Sequence, residues 1–185
     1  MTYPLNQCEG LELVKPSLVF RAEYIAMVRE FLQTDESWFN NFPLAQSDFP
    51  AFVRELEDEA QGINLPPGIV PQQTYWLLKD GATIVGESRL RPILTPPFEQ
   101  HNGHIGYNIR PLQRQKGYAT CQLALLLDVA RSHRLTRVML TIEGHNPASV
   151  RVIEKNGGKL EWCRISPETE EMLSCYWIEL PSMSL

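Results

Sequence analysis

The run Arg114-Gln115-Lys116-Gly117-Tyr118-Ala119 combines two cations with two small residues in the space of six positions. It sits between an apolar, strand-like segment, His104 to Ile109, and a helix-like segment from Gly117 to about His133. The first turn of a helix leaves N–H groups without intrahelical partners and carries partial positive charge. A turn of this make-up, with glycine where the backbone must approach closely, suits a phosphate or pyrophosphate group. Two common nucleotide patterns, Gly-x-Gly-x-x-Gly and Gly-x-x-x-x-Gly-Lys-[Ser/Thr], are absent.

The elements around this turn follow from periodicity and punctuation. Leu11 to Val14 reads as a short strand, and Ser17 as the cap of a helix from about Leu18 to Gln33. Ser47 or Asp48 caps a second helix running to about Gln61, with Pro50 in its first turn. Thr74 to Leu78 and Thr83 to Leu94 form a hairpin about Lys79-Asp80-Gly81. His104 to Ile109 is the next strand. In the helix that follows, Ala119, Leu123, Leu126, Leu127 and Ala130 share one face. Arg137 to Ile142 reads as a buried strand, Asn146 to Asn156 as a helix stopped by Gly157-Gly158, and Lys159 to Ile165 and Leu173 to Leu180 as two last strands. This order predicts an α/β layer fold with a largely antiparallel front half, not the regular alternation of a dinucleotide-binding domain.

Composition bounds the function classes. The chain has 185 residues, 43% hydrophobic and 21% charged, which suits one domain with a sizeable core. No apolar run approaches the roughly 18 residues a membrane helix needs, and the first residues lack the basic start and apolar core of a secretory signal. A net charge of −5 argues against a general nucleic-acid or anionic-membrane binder. Yet Arg110, Arg114, Lys116, Arg131, Arg134 and Arg137 cluster between His104 and Arg137 against Asp128 alone, which fits a small polyanionic ligand better than a nucleic-acid strand, although Arg131 to Arg137 read rather as a solvated helix face. Cys8, Cys121, Cys163 and Cys175 are widely spaced with no Cys-x-x-Cys pair, so a zinc site is not expected and reduced cytosolic thiols are. His101, His133 and His145 form no metal set with them.

Arg114 to Ala119 satisfies the pattern [Gln/Arg]-x-x-Gly-x-[Gly/Ala] at every defined position, after a strand that ends Ile109-Arg110-Pro111. Further on stands Asn146-Pro147-Ala148-Ser149-Val150-Arg151-Val152-Ile153-Glu154-Lys155-Asn156-Gly157-Gly158. Together these resemble the GNAT superfamily of acyl-CoA-dependent N-acetyltransferases. The second run resembles the branch that acetylates ribosomal-protein N-termini, polyamines and related amines. The resemblance covers roughly residues 11 to 180. It implies a GNAT-like α/β fold: a mixed, mostly antiparallel central sheet of about six to seven strands with about four flanking helices. It also implies one acyltransferase domain over 1–185, with the motif-bearing core at about 73–180.

The resemblance further implies roles. Main-chain N–H groups from Gln115 through Lys116, Gly117, Tyr118 and Ala119 to Thr120 would hold the CoA pyrophosphate, with Arg114 and Lys116 adding charge. Asn108 and Ile109 would splay from the next strand and bond the pantetheine amides, where the same N–H groups could polarise the thioester carbonyl. Asn146 would bond pantetheine, cap its helix, or do both. Ser149 would protonate the leaving thiolate or complete the cap network. Many family members carry a tyrosine acid where this chain has Ile153, which leaves Ser149, Tyr107 or solvent as the proton source. For the base, His104 has a suitable intrinsic pKa at the strand opening, although a strand-end histidine bonded to a loop reads the same way. Glu87 is the rival, and its alternation with Arg89 and Arg91 also suits an ion-paired sheet face.

The expectation is thus a cytoplasmic N-acetyltransferase that uses acetyl-CoA and no metal. Its acceptor would be a small-molecule or peptide amine; no nucleic acid or membrane is expected, and a homodimer is possible. Acceptor walls are expected from Trp38 to Phe42, the proline loop 62–71, and 95–103 with Phe98, Glu99 and His101. The competing expectation is a catalytically degenerate acyl-CoA sensor.

Overall fold

The computed structural model describes residues 3–34, 41–96, 102–166 and 169–181. Its strands are β1 (Leu11–Val14), β2 (Gln73–Lys79), β3 (Thr83–Leu90), β4 (Ile105–Ile109), β5 (Arg137–Glu143), β6 (Lys159–Ile165) and β7 (Met172–Glu179). Its helices are α1 (Arg21–Phe31), α2 (Phe42–Ser47), α3 (Phe49–Gln61), α4 (Tyr118–Ser132) and α5 (Pro147–Lys155). Among the described residues, no helix is long and apolar enough to cross a membrane.

The strands form two antiparallel sheets in place of one central sheet: β1-β2-β3-β4, and β5-β7-β6. The break falls between β4 and β5. The two strands touch through the bridge from Gly103 to Leu140 and then part. That contact is so close that a Cβ on Gly103 would lie 2.6 Å from Met139 O, and Gly103 has φ of +67°, so glycine is required there.

The first sheet carries apolar residues on both faces because both are covered. Leu123, Leu126, Leu127 and Ala130 of α4 pack with Leu90, Ile105, Val138, Leu140, Ile153 and Ile178. On the opposite face Tyr24, Met27, Val28 and Phe31 of α1 join Phe49 and Phe52 of α3 over Trp76, Leu78 and Ile84. Each such fully buried side chain contributes about 1.5–3 kcal/mol. Together these clusters fix α4, and hence the turn at its start, against β3 and β4.

Asp48 caps α3 as expected, its Oδ1 accepting from the Ala51 N–H at 2.9 Å. Ser17 makes no side-chain cap bond; a 3-10 turn at Leu18–Phe20 leads into α1 instead. The short helix α2 was not expected, and Pro43 in its first turn starts it while Phe42 and Ala45 bury it. β3 stops at Leu90, four residues short of the expected end. Pro92 offers no ladder N–H, and the Arg91 N–H to His104 O bond, at 2.8 Å, closes the strand. One correction concerns the thiols. Cys8 and Cys121, 113 residues apart, are joined in a disulfide with their Cα atoms 5.5 Å apart, so they are not reduced. Only the fold, with Cys121 facing the N-terminal segment, brings them together.

Candidate active site

β4 delivers the chain into a 3-10 turn at Pro111–Gln113, after which Gln115 (φ +63°) and Gly117 (φ +82°) adopt left-handed backbone and α4 begins. No side chain caps α4 at its start. A Cβ built on Gly117 meets nothing within 4 Å, so the glycine faces open space. That space is a cavity of about 620 Å³. One wall is Asn108, Ile109, Arg114, Gln115 and Gly117 to Thr120; the other is Asn146, Ser149, Arg151, Val152 and Lys155. The first-turn N–H groups of Tyr118 and Ala119 have no intrahelical partner and lie on the cavity wall. The Thr120 N–H is engaged with Gly117 O at 3.1 Å, so the expected cradle ends at Ala119.

The cations are arranged differently from the expectation. Arg114 donates from Nε to Ile109 O at 3.1 Å and its guanidinium lies 5.6 Å from the Phe31 ring centroid. It ties the turn to β4. Lys116 is exposed and turns back to Leu112 O (3.3 Å) and Gln113 Oε1 (2.8 Å). Arg110 is absorbed by Glu30 at 2.7 Å and Glu23 at 3.1 Å on α1. The charge on the far wall instead comes from Arg151 and Lys155, which the motif reading passed over. With Ala148 and Val152 they occupy one helical face, and their i, i+4 spacing was the available signal.

The cavity adjoins the gap between the sheets. A second hollow of about 160 Å³ there is lined by Gly106, Tyr107, Thr141, Glu143, Asn146, Ser149 and Ile153, among others. Tyr107, Asn146 and Ser149 line both spaces. In the sheet, β4 pairs with β3 on one edge, so its other edge, at Asn108 and Ile109, faces the gap. The Asn108 side chain accepts the Glu87 N–H at 3.2 Å, while its buried Nδ2 has no partner.

His104 and Glu87 are not brought to the gap as bases. His104 closes the base of the split: its N–H donates to Met139 O at 2.8 Å and its Nδ1 accepts the Met139 N–H at 3.0 Å. Burial, then Arg137 and Arg91, push the imidazole down to about 4. A neutral ring whose acceptor nitrogen is already occupied cannot take a proton from an amine there. Glu87 is 2% exposed, held by the Trp76 Nε1–H and by Arg89, both at 3.2 Å. It belongs with Trp76 on the α1/α3 face of the sheet. Ser149 does reach the site. Its N–H donates to Asn146 Oδ1 at 3.0 Å, so Asn146 caps α5 while lining both spaces. Burial pushes the Tyr107 phenol up to about 12, with Ser149 alongside pulling the other way.

Two further residues escaped the sequence reading. Glu143, at the end of β5, brings a carboxylate to the gap and accepts from the Thr169 hydroxyl. Asn156, fully buried, donates to Thr120 O at 3.2 Å and to Val152 O at 2.9 Å, which locks the first turn of α4 to α5. Of the expected acceptor walls, Phe42 is buried in the core; Trp38, Phe39, Asn40, Phe98, Glu99 and His101 lie outside the described residues. Among the described residues no group of three or more His, Cys, Asp or Glu could hold a metal ion.

A family model described as the acetyltransferase (GNAT) domain matches residues 20–159. No curated protein sequence matches the chain. Solved structures share its fold. One is a Salmonella typhimurium acetyltransferase that modifies the N-terminal serine of ribosomal protein L7/L12. It is 16% identical, with 96% of this chain and 98% of that chain covered and a TM-score of 0.67. RimL, a ribosomal L7/L12 α-N-protein acetyltransferase in complex with coenzyme A, is 18% identical, with 93% and 95% covered and a TM-score of 0.67. The microcin C7 self-immunity acetyltransferase MccE, in complex with acetyl-CoA and AMP, is 15% identical, with 93% of each chain covered and a TM-score of 0.67.

Proposed function

The chain belongs to the GNAT acetyltransferase family, and from that premise we propose that it transfers the acetyl group of acetyl-CoA to a primary amine of a small molecule or a peptide N-terminus. The observation that carries this reading is the adjacency of two spaces that share Tyr107, Asn146 and Ser149. An open cradle at Gly117 stands beside the gap between β4 and β5, so a ligand held by its phosphates at the turn would lay its acyl end toward the gap. The fold neighbours with acetyl-CoA and coenzyme A support that choice of donor.

In this reading, the Gln115-to-Ala119 backbone holds the pyrophosphate, with help from Arg151 and Lys155. The free edge of β4 at Asn108 and Ile109 bonds the pantetheine arm, and an N–H there faces the thioester oxygen as it gains charge. The neutral amine attacks directly, the C–S bond breaks, and the amine proton leaves through a carboxylate or water. Glu143 lines the gap and is suited to receive that proton or to hold the incoming ammonium. The same reading takes residues 1–185 as one acyltransferase domain, working in the cytoplasm as a monomer or homodimer. Ile153, which can donate no proton, favours the second reading of a sensor that binds acyl-CoA without turnover.

Thiol release from acetyl-CoA over a panel of amines separates the two. Turnover supports the transferase, and CoA binding without turnover on any amine supports the sensor. Gly117→Glu should abolish CoA binding; the side chain has open space, but φ of +82° strains a non-glycine residue by about 1–2 kcal/mol, so the melt should fall by several degrees and the fold should persist. Retained binding would overturn the cradle assignment.

A further inference from the structure

Cleavage of a thioester leaves its electron pair on sulfur, and a hydrogen-bond donor beside that sulfur stabilises the departing group. Tyr107 is placed to be that donor. It stands on β4 where the cofactor cavity meets the gap, and its ring lines both. Its hydroxyl is buried and makes no hydrogen bond of ordinary length and angle, with the Ser149 side chain alongside as a weak partner. Leaving a buried hydroxyl poorly paired costs about 1–3 kcal/mol, so its place at the junction of two cavities points to a ligand atom. Burial also keeps the phenol protonated at any working pH. The same space is bounded by Ile153, which carries no donor, and by the half-buried Ser149.

Building on the acetyl-transfer reading, we propose that Tyr107, carried by the strand rather than by α5, is the general acid of the reaction. As the amine nitrogen bonds to the carbonyl carbon and the C–S bond breaks, the Tyr107 O–H gives its proton to the sulfur. The proton shed by nitrogen leaves through Glu143 or water, and the phenol oxygen regains a proton from solvent through the Ser149 hydroxyl. The products are the amide and free CoA thiol, and both hydroxyls end as they began.

The test compares wild type with Tyr107→Phe, which removes only the oxygen. Because that oxygen makes no hydrogen bond of ordinary geometry to the protein, the melting temperature should not fall; a fall of several degrees would mark a structural role and overturn the proposal. The pKa of the CoA thiol is then read in each complex by thiolate absorbance. It should lie about one unit lower in wild type, a tenfold stabilisation of thiolate, and equal values would overturn the assignment. This measurement needs no acceptor. With any amine that turns over, kcat should drop about 100-fold in the variant while KM for acetyl-CoA stays within threefold. A wild type that binds CoA without turnover sinks the transferase reading and, with it, Tyr107 as an acid. Absence of CoA binding sinks both.

Discussion

His104 shows how a residue with the right chemistry can be spent on structure. Its Nδ1 accepts the Met139 N–H, and that single bond, with the neighbouring main-chain bond, holds β4 to β5 at the base of the split. The folded-state pKa of about 4 lies below the ordinary value of 6.5. The sign follows from proton counting: between these values the unfolded chain binds more protons than the folded one. Stability from His104 is therefore fully present above about pH 6.5 and is lost as pH falls toward 4. Full expression of the shift would be worth about 3 kcal/mol, and less where solvent relaxes the site. We expect the melting temperature of wild type to fall between pH 7 and pH 4.5 by several degrees more than that of His104→Gln. Parallel pH curves would show that the imidazole does not lose its proton-free state on this scale. The variant should also keep its acetyl transfer, because the ring acceptor is not available to the substrate.

At the scale of elements, the legible parts were those coded locally. The turn before α4 was readable because backbone needs and residue types coincide there: a strand, a left-handed glycine and an uncapped helix start fall within about ten residues. The cap of α5 by Asn146 was readable for the same reason. What was not legible depends on how elements face one another. The division into two sheets rests on a glycine contact between segments far apart in sequence, and the seat of the Arg114 guanidinium rests on Phe31 of α1. Arg151 and Lys155 look like ordinary solvated helix charges until α5 is set opposite the turn. Their placement makes a prediction for the helix as a whole. Arg151→Glu with Lys155→Glu should raise KM for acetyl-CoA about tenfold, since two exposed attractions become repulsions, with kcat little changed. Raising the salt to 0.5 M should narrow the gap. An unaltered KM would mean that this face of α5 is merely solvated.

Across the whole molecule, the disulfide joins the N-terminal segment to the helix beside the proposed cradle. Cys8 closes the 3-10 turn at Leu5–Gln7, and Cys121 sits in the first turn of α4, beside the proposed cradle. The staple therefore ties the start of the chain to the helix that would hold the phosphates. Closing a loop of 113 residues removes about 4–5 kcal/mol of unfolded-chain entropy on the simplest model. For a chain of this size that amounts to about 10 °C in melting temperature. The remaining thiols give a chemical count. Cys163 is exposed, whereas Cys175 is buried and its thiol is pushed up to about 11 by burial. Native protein should thus react quickly at one cysteine, and denatured protein without reductant at two. Reductant should raise the denatured count to four and lower the melting temperature by about 10 °C; Cys8→Ser should match that drop. If four thiols react in denatured, unreduced protein and Cys8→Ser melts like wild type, the pair is not bonded in solution and α4 depends on packing alone. If the staple holds, reduction should also weaken CoA binding, because the first turn of α4 would then be held by Asn156 and the core without its N-terminal clasp.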